Sequence, residues 1–188
     1  MARMIYNMLQ SADGYIEGTE GGPGMPMFGE PLHSWFNRQM EDISTSVYGR
    51  NMYEVMQAWQ TWEQDYPEAE PYENEFARAW RDTLKVVVST TLAEVGPNAR
   101  LVSSDVEAEL RRLKAETAGT IDISGATIAA AAASWGLIDE YQLVIRPAVL
   151  GGGKPFFKPG LPRALKLVGA ETLPEDTILL RYKPAPQS

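Results

Sequence analysis

The sequence predicts a mainly parallel α/β sheet, covered by helices on both faces and closed by an antiparallel hairpin. Three observations carry this expectation. Short apolar or β-branched runs alternate with helical periodicities along most of the chain. The first run, residues 3–9 (RMIYNML), is largely apolar, as a central strand buried on both faces must be. The last two runs, residues 164–169 and 177–182, are joined by the short connection Leu173-Pro174-Glu175-Asp176, which suits a hairpin at one sheet edge.

Taken in order, Ser11-Ala12-Asp13-Gly14-Tyr15-Ile16 leaves the first strand, and the glycine-rich stretch 18–29 is loop. A loop that long beside a central strand suits a lid or a substrate loop. Residues 30–42 read as an amphipathic helix with Leu32, Trp35, Phe36 and Met40 on one face. A short strand at 46–49 leads into a helix over 50–59. Residues 59–72 are acidic and irregular, with Asp65, Glu68, Glu70 and Glu73 as solvated surface, and 75–81 adds a helical turn or two. The clearest strand is 84–89 (LKVVVS), followed by another at 99–102. Ser104-Asp105 is expected to cap a charged helix running to Glu116, with Leu110 and Leu113 facing inward. A β-branched strand at 120–123 then turns through Ser124-Gly125-Ala126-Thr127 into an alanine-rich helix from Ile128 to about Ser134. A strand at 141–145 follows, and after it Gly151-Gly152-Gly153.

At 188 residues, 44% hydrophobic and 22% charged, the chain is expected to form one domain over 1–188 with one core. A net charge of −8 argues against nucleic acid as a partner, because such a surface needs a basic stripe. The absence of cysteine excludes disulfides, thiolate metal sites and a cysteine nucleophile, and a single histidine, His33, excludes a histidine-rich zinc site. No metal is expected. The start, MARMIYNMLQ, is too short and polar for a signal peptide, and no apolar run reaches membrane-spanning length. A soluble cytoplasmic protein acting on a small molecule is the expectation.

Ligands of such sheets bind where the strands end at their carboxyl termini. Four such ends stand out: Gln10-Ser11, Gly49-Arg50, Ser89-Thr90 and Ser124-Gly125. A helix start offers unpaired N–H groups to an anion, and small turn residues let a ligand reach the backbone. The Arg50 guanidinium can donate two parallel hydrogen bonds to a phosphate. Together these ends suit an elongated anion such as a dinucleotide. Each also has an ordinary use, as a βα turn or a surface side chain.

The order SADGYI, YGRNMYEVM, KVVVSTTL, ISGATIA, GLIDEYQLVIRPAVLGGGKPFF and a closing LRY resembles the dihydrofolate-reductase-like superfamily. The match is nearest to the branch holding the reductase domain of bacterial riboflavin biosynthesis enzymes, and it runs from about Met4 to Tyr182. The resemblance implies a three-layer α/β/α fold, NADPH bound across the strand ends, and hydride transfer to a bound heterocycle or sugar. It places Gly49, Arg50, Asn51 and Met52 against the cofactor's phosphates and Ser89-Thr90 near the adenosine 2′-phosphate. Ser124, Gly125, Ala126 and Thr127 form the turn under the pyrophosphate, where a cis peptide often occurs. A homodimer paired through the late strands is also implied.

Two positions depart from the family pattern. Ile123 stands where riboflavin-pathway reductases carry a carboxylate, and Leu32 where dihydrofolate reductases carry an acid three residues before Trp35. The companion deaminase is missing, since its zinc site needs cysteines. Asp13, Glu30, His33 and Trp35 are left for the substrate end, with Asp13 the candidate catalytic acid. Asp13 also reads as a turn residue, His33 as a surface or capping residue, and Glu30 as a complement to the helix dipole. The activity so implied is an NADPH-dependent reductase related to 5-amino-6-(5-phosphoribosylamino)uracil reductase. The alternatives are a dihydrofolate- or pteridine-type reductase and a nucleotide-binding module without turnover.

Overall fold

A computed structural model of the chain describes residues 1–22, 24–160 and 164–186; Pro23, within the expected loop, lies outside them. In chain order the elements are β1 (Arg3–Ser11), β2 (Tyr15–Glu17), α1 (Glu30–Glu41), β3 (Ile43–Gly49), α2 (Arg50–Met56), a 3₁₀ turn (Gln57–Gln60) and α3 (Trp62–Asp65). Then come α4 (Pro71–Asp82), β4 (Leu84–Val88), β5 (Ala99–Val102), α5 (Val106–Glu116), β6 (Thr120–Ser124) and α6 (Ala126–Ser134). The chain closes with β7 (Glu140–Arg146), β8 (Lys154–Pro155), β9 (Leu165–Leu173) and β10 (Thr177–Pro184).

Eight strands form one sheet in the order β5-β4-β3-β6-β1-β7-β10-β9. All pairs from β5 to β7 are parallel, and β10 runs antiparallel to both β7 and β9. The three-layer α/β/α architecture with a closing hairpin is therefore the one expected. On one face Met4, Tyr6, Val47, Val86, Ile121 and Ile123 pack beneath Leu110 and Leu113 of α5 and the alanines of α6. Alanine side chains let α6 lie close to the sheet, and Ala129, Ala132 and Ala133 are buried there. On the opposite face Leu32 and Trp35 of α1 meet Val144 and Leu179, while Trp80 of α4 meets Tyr48 and Val87. Period-two alternation sorts the strand residues between these faces.

The differences from expectation have local causes. Residues 71–82 form a full helix rather than a turn or two. Pro71 occupies its first turn, where a missing N–H costs nothing, and Glu73 accepts the Glu70 N–H at 2.9 Å. Two carboxylates read as solvated surface thus start a helix. Asp105 does not cap α5 with its side chain; it sits in the left-handed region at φ 49°, and its carbonyl accepts the Glu109 N–H. The short pair β2–β8 was not foreseen and lies outside the main sheet. Among the described residues no helix is long and apolar enough to cross a membrane.

Candidate active site

Because β4, β3, β6 and β1 are parallel, their carboxyl ends fall along one edge of the sheet. At the β3 end, Gly49 precedes α2 and Arg50 is that helix's first residue. The Arg50 guanidinium is half exposed; Nη1 donates to Thr91 Oγ1 at 3.2 Å and Nε lies 3.7 Å from Glu54 Oε1. At the β4 end, Ser89 Oγ accepts the N–H groups of Thr91 and Leu92, each at 3.1 Å, and lies 3.3 Å from Thr91 Oγ1. Thr91 rather than Thr90 therefore joins the two strand ends. The Thr90-Thr91 doublet after the strand was the only signal for it.

The β6–α6 turn lies beside this pair. Gly125 has φ 117°, a conformation L side chains rarely adopt, and a Cβ there would sit 3.7 Å from Met52 Cβ and 3.9 Å from the Gly49 nitrogen. Two turns thus approach within van der Waals distance at a glycine. Asn51 and Thr127 are exposed next to it, and Ala126 packs into the core. The described residues contain no cis peptide bond, so the turn is made by the positive φ of Gly125 instead. Hydroxyls, one guanidinium and the first N–H groups of α6 are the donor set a diphosphate needs.

Past β1 the chain is held tightly. Ser11 Oγ bonds both polar atoms of the Tyr15 backbone. Asp13 is exposed, and its oxygens accept the N–H groups of Leu150 at 3.1 Å and Gly151 at 2.7 Å. Hydrogen bonds from Ser11 and the Leu150 N–H hold its carboxyl below the ordinary value, which favours the charged form. A carboxylate so engaged ties down a loop and is a poor proton donor.

His33 and Trp35 do not line an open surface. Trp35 is core, against Leu32, Val144 and Leu179. His33 is buried on the side of α1 that meets α4, with Nδ1 3.3 Å from Asn37 Oδ1. Its ring lies 5.0–6.0 Å from those of Phe28, Trp59, Tyr72 and Phe76, and burial lowers its pKa. Glu30 is exposed at the first position of α1.

Two buried groups were missed. Asp122 of β6 accepts the Ser124 hydroxyl at 2.7 Å and is pushed up to about 7 by burial. Arg146, at the end of β7, donates to Thr177 Oγ1 at 2.7 Å and lies 3.5 Å from Glu175 Oε2. Glu175 Oε1 in turn accepts the Gly29 N–H at 2.9 Å, tying the hairpin to the start of α1.

A match to the RibD C-terminal domain family covers residues 2–179. The chain belongs to the RibD C-terminal domain family. YyaP, an uncharacterized protein of Bacillus subtilis (strain 168), is 28% identical over 184 residues, 96% of this chain and 94% of that protein. The fold is shared with a protein from Shewanella sp. PV-4 assigned to riboflavin biosynthesis (TM-score 0.70, 22% identity, 99% of this chain and 100% of that one). It is shared as well with dihydrofolate reductase from Enterococcus faecalis complexed with NADP(H) and RAB-propyl (TM-score 0.58, 14% identity, 98% and 97% covered). RibD C-terminal domain membership and these folds support a reductase of the RibD C-terminal and dihydrofolate-reductase-like type.

Proposed function

We propose that this RibD C-terminal domain protein is an NADPH-dependent reductase that passes hydride to a small heterocyclic acceptor, with a C=N or C=O bond as the reacting group. The observation that carries the reading is the meeting of Arg50 with Ser89 and Thr91 beside the Gly125 turn. When bound, the reduced nicotinamide supplies the hydride; the chain's own work is to hold, orient and dry the reacting pair. Arg50, Ser89 and Thr91 would hold the 2′-phosphate, and the turn from Ser124 to Thr127, with Gly49 and Met52 behind it, the diphosphate. Asn51 and Thr90 would border that site. The acceptor would lie beyond the β1 end, where Asp13 fixes the 150–151 loop and Glu30 is exposed.

Relatedness to 5-amino-6-(5-phosphoribosylamino)uracil reductase is the preferred assignment of the acceptor. A pterin is the alternative, and Ile123 and Leu32 put an apolar side chain at each family's acid position. Those two residues also favour a second reading, a nucleotide-binding module without turnover. We further propose one domain over 1–188, a cytoplasmic location and a homodimer. The dimer rests on Leu167, Val168 and Ile178, exposed apolar residues of β9 and β10.

The test is cofactor binding. Arg50→Ala should weaken NADPH by about tenfold, the worth of a charge-assisted hydrogen bond, while leaving NADH nearly unchanged. Equal losses for both would sink the 2′-phosphate assignment. Saturable NADPH binding with no oxidation against a pterin, pyrimidine and quinone panel would favour the module. Sedimentation as a monomer at micromolar concentration would remove the dimer.

A further inference from the structure

Arg146 ends β7 in register with Ser11, the last residue of β1, so it stands at the strand end where the acceptor is placed. We propose that its guanidinium and the start of α1 form an oxyanion site that the chain's own Glu175 fills, and that a carboxylate or phosphate group of the acceptor takes its place. This rests on the reductase reading above and names a group the acceptor must carry.

The donors at this point are underused. Arg146 is 3% exposed, and a buried guanidinium without full partners is unfavourable. One corner is well held: Nη1 donates to Thr177 Oγ1 at 2.7 Å, and the Thr177 hydroxyl donates in turn to Glu175 O at 3.2 Å. The other edge of the fork, Nε and Nη2, is the one that can give two parallel bonds to a carboxylate or phosphate. Nε is buried with no hydrogen-bond partner, and Nη2 comes no nearer than 3.5 Å to Glu175 Oε2. The second oxygen of Glu175, Oε1, accepts the Gly29 N–H at 2.9 Å. A single tethered carboxylate is thus stretched between donors that a free oxyanion could meet in full.

The surroundings agree. Gly29 starts α1 with no side-chain cap, so the positive end of a 12-residue helix faces the same carboxylate. Glu175 and Asp176 are the central pair of a tight turn closed by the Thr177 N–H to Pro174 O, and their φ values are 59° and 54°. Such a turn favours Asn-Gly, and a glutamate in the left-handed region is unfavourable. The strain falls where the side chain reaches both Arg146 and Gly29. That side chain is 28% exposed, so it can swing into solvent and uncover the guanidinium without unpacking the core. The Phe28 ring, 5.8 Å from Arg146 Cζ, gives a planar acceptor an aromatic neighbour.

Entry is an exchange rather than an addition. Tyr72 of α4 is pushed up by burial and by the charges of Glu73, Glu70, Glu30 and Glu175. Four carboxylates therefore already stand near this end of α1, and a further anion beside Glu175 would share one guanidinium with it. With Glu175 turned out to water, the incoming oxyanion takes the Nε and Nη2 edge and the Gly29 N–H. The exchange also unties the hairpin from the start of α1, because Glu175 is the residue that joins them.

The test is an NMR titration of the Gly29 amide with acetate and with inorganic phosphate, on wild type, Glu175→Gly and Arg146→Lys. Glycine empties the site and also suits the left-handed turn. Glu175→Gly should bind at least one of the anions about tenfold more tightly than wild type, where Glu175 competes. A response to acetate points to a carboxylate on the acceptor and a response to phosphate to a phosphate ester; either supports the site. Arg146→Lys, which keeps the charge and loses the fork, should abolish the response. For any acceptor of the pterin, pyrimidine and quinone panel that is reduced, the bound anion should compete with acceptors carrying that group. Glu175→Gly should lower the KM of those acceptors by about tenfold relative to an uncharged quinone. A Gly29 amide that responds to neither anion in Glu175→Gly would overturn the proposal alone and leave Glu175 a tie between hairpin and helix. Anion binding with no change in the KM of charged acceptors would overturn the acceptor's part in it. Bound NADPH that reduces no acceptor would overturn the reductase reading, while the amide titration still decides the site.

Discussion

The carboxylate of Asp13 and the backbone of Gly151 meet at 2.7 Å, across 138 positions of sequence. With the Leu150 bond, this fixes the start of the triple-glycine loop against the end of β1. Asp13 is held below its ordinary pKa, so its contribution to the fold is full above the unfolded value and is lost as pH falls through the lower folded value. The Gly151 amide proton is therefore expected to titrate with a midpoint below about 3.9, the ordinary aspartate value. Asp13→Asn should abolish that titration and speed amide exchange at Leu150 and Gly151. A Gly151 resonance insensitive to pH would show that the bond does not form in solution.

Asp122 has the opposite sign. Its folded pKa, about 7, lies above that of the unfolded chain. Both states are protonated at low pH. As pH rises the unfolded chain ionises first, and stability declines between about 4 and about 7. A pKa raised that far corresponds to about 4 kcal/mol at full effect. Asp122→Asn should remove that slope, leaving stability nearly unchanged at about pH 3.5, below the unfolded value, and raised at pH 8. Urea melts at the two pH values measure it. A variant no more stable at pH 8 than wild type would contradict the burial argument.

Much of the architecture was legible because parallel strands leave a strong local trace. The apolar runs at β1 and β4, the β-branched run at β6 and the small-residue turn after it each carry their signal within a few residues. The same locality exposed the strand ends and so the Arg50, Ser89 and Gly125 cluster. Features that depend on distant partners were not legible. β2 and β8 have three and two residues, and their pairing brings Glu17 to Lys154 across 137 positions. The burial of His33 depends on aromatic rings delivered by α4 and the 3₁₀ turn, which no periodicity in α1 announces. For α4 the trace was present: Pro71, Glu73, Ala77 and Trp80 have helical placement, and the acidic composition masked it. Asp122 was masked in the other direction, by the β-branched residues around it. A lone carboxylate inside a strand that must be buried was itself the signal.

Lys85 provides a test of how the helix layer is fastened to the sheet. The residue is 1% exposed, and its ammonium donates to Trp80 O and Thr83 O at 2.7 Å and Arg81 O at 3.2 Å, carbonyls at the end of α4. The last carbonyls of a helix have no partner within it and carry the negative end of its dipole. Asn98 Nδ2 reaches Arg81 O, Asp82 O and Thr83 O, so Trp80 O alone depends on Lys85 between the two side chains. Lys85→Met keeps the aliphatic stem and removes the donors, at an expected cost of about 2–3 kcal/mol. Because Arg81 O and Thr83 O are shared, Lys85→Met with Asn98→Ala should cost more than the sum of the single changes. A double-mutant cycle by chemical denaturation measures the coupling, and strict additivity would show that the two side chains cap independently.

Gly153 is the position where the triple glycine is most constrained. Its φ is 130°, and a Cβ there would fall 1.9 Å from the Glu17 carbonyl oxygen, with further backbone atoms at 3.0 Å. The obstacle is backbone on the paired strand, so no side-chain rotation relieves it. Alanine at this position must push β8 off β2. That would strain the bond from the Phe156 N–H to Gly14 O, and behind it the Tyr6 hydroxyl bond to Phe156 O and the stacking of their rings at 4.2 Å. The conformational and steric costs together are expected to reach about 3 kcal/mol. For a chain of this length that lowers Tm by roughly 6–12 °C. Gly152 is the internal control: a Cβ there meets only Thr19 Cγ2 at 3.4 Å, an ordinary contact. Gly152→Ala should melt within a degree or two of wild type, the effect of a surface change under about 0.5 kcal/mol. Equal Tm values for the two alanine variants would mean that β2 and β8 do not lie as close in solution as the pairing requires.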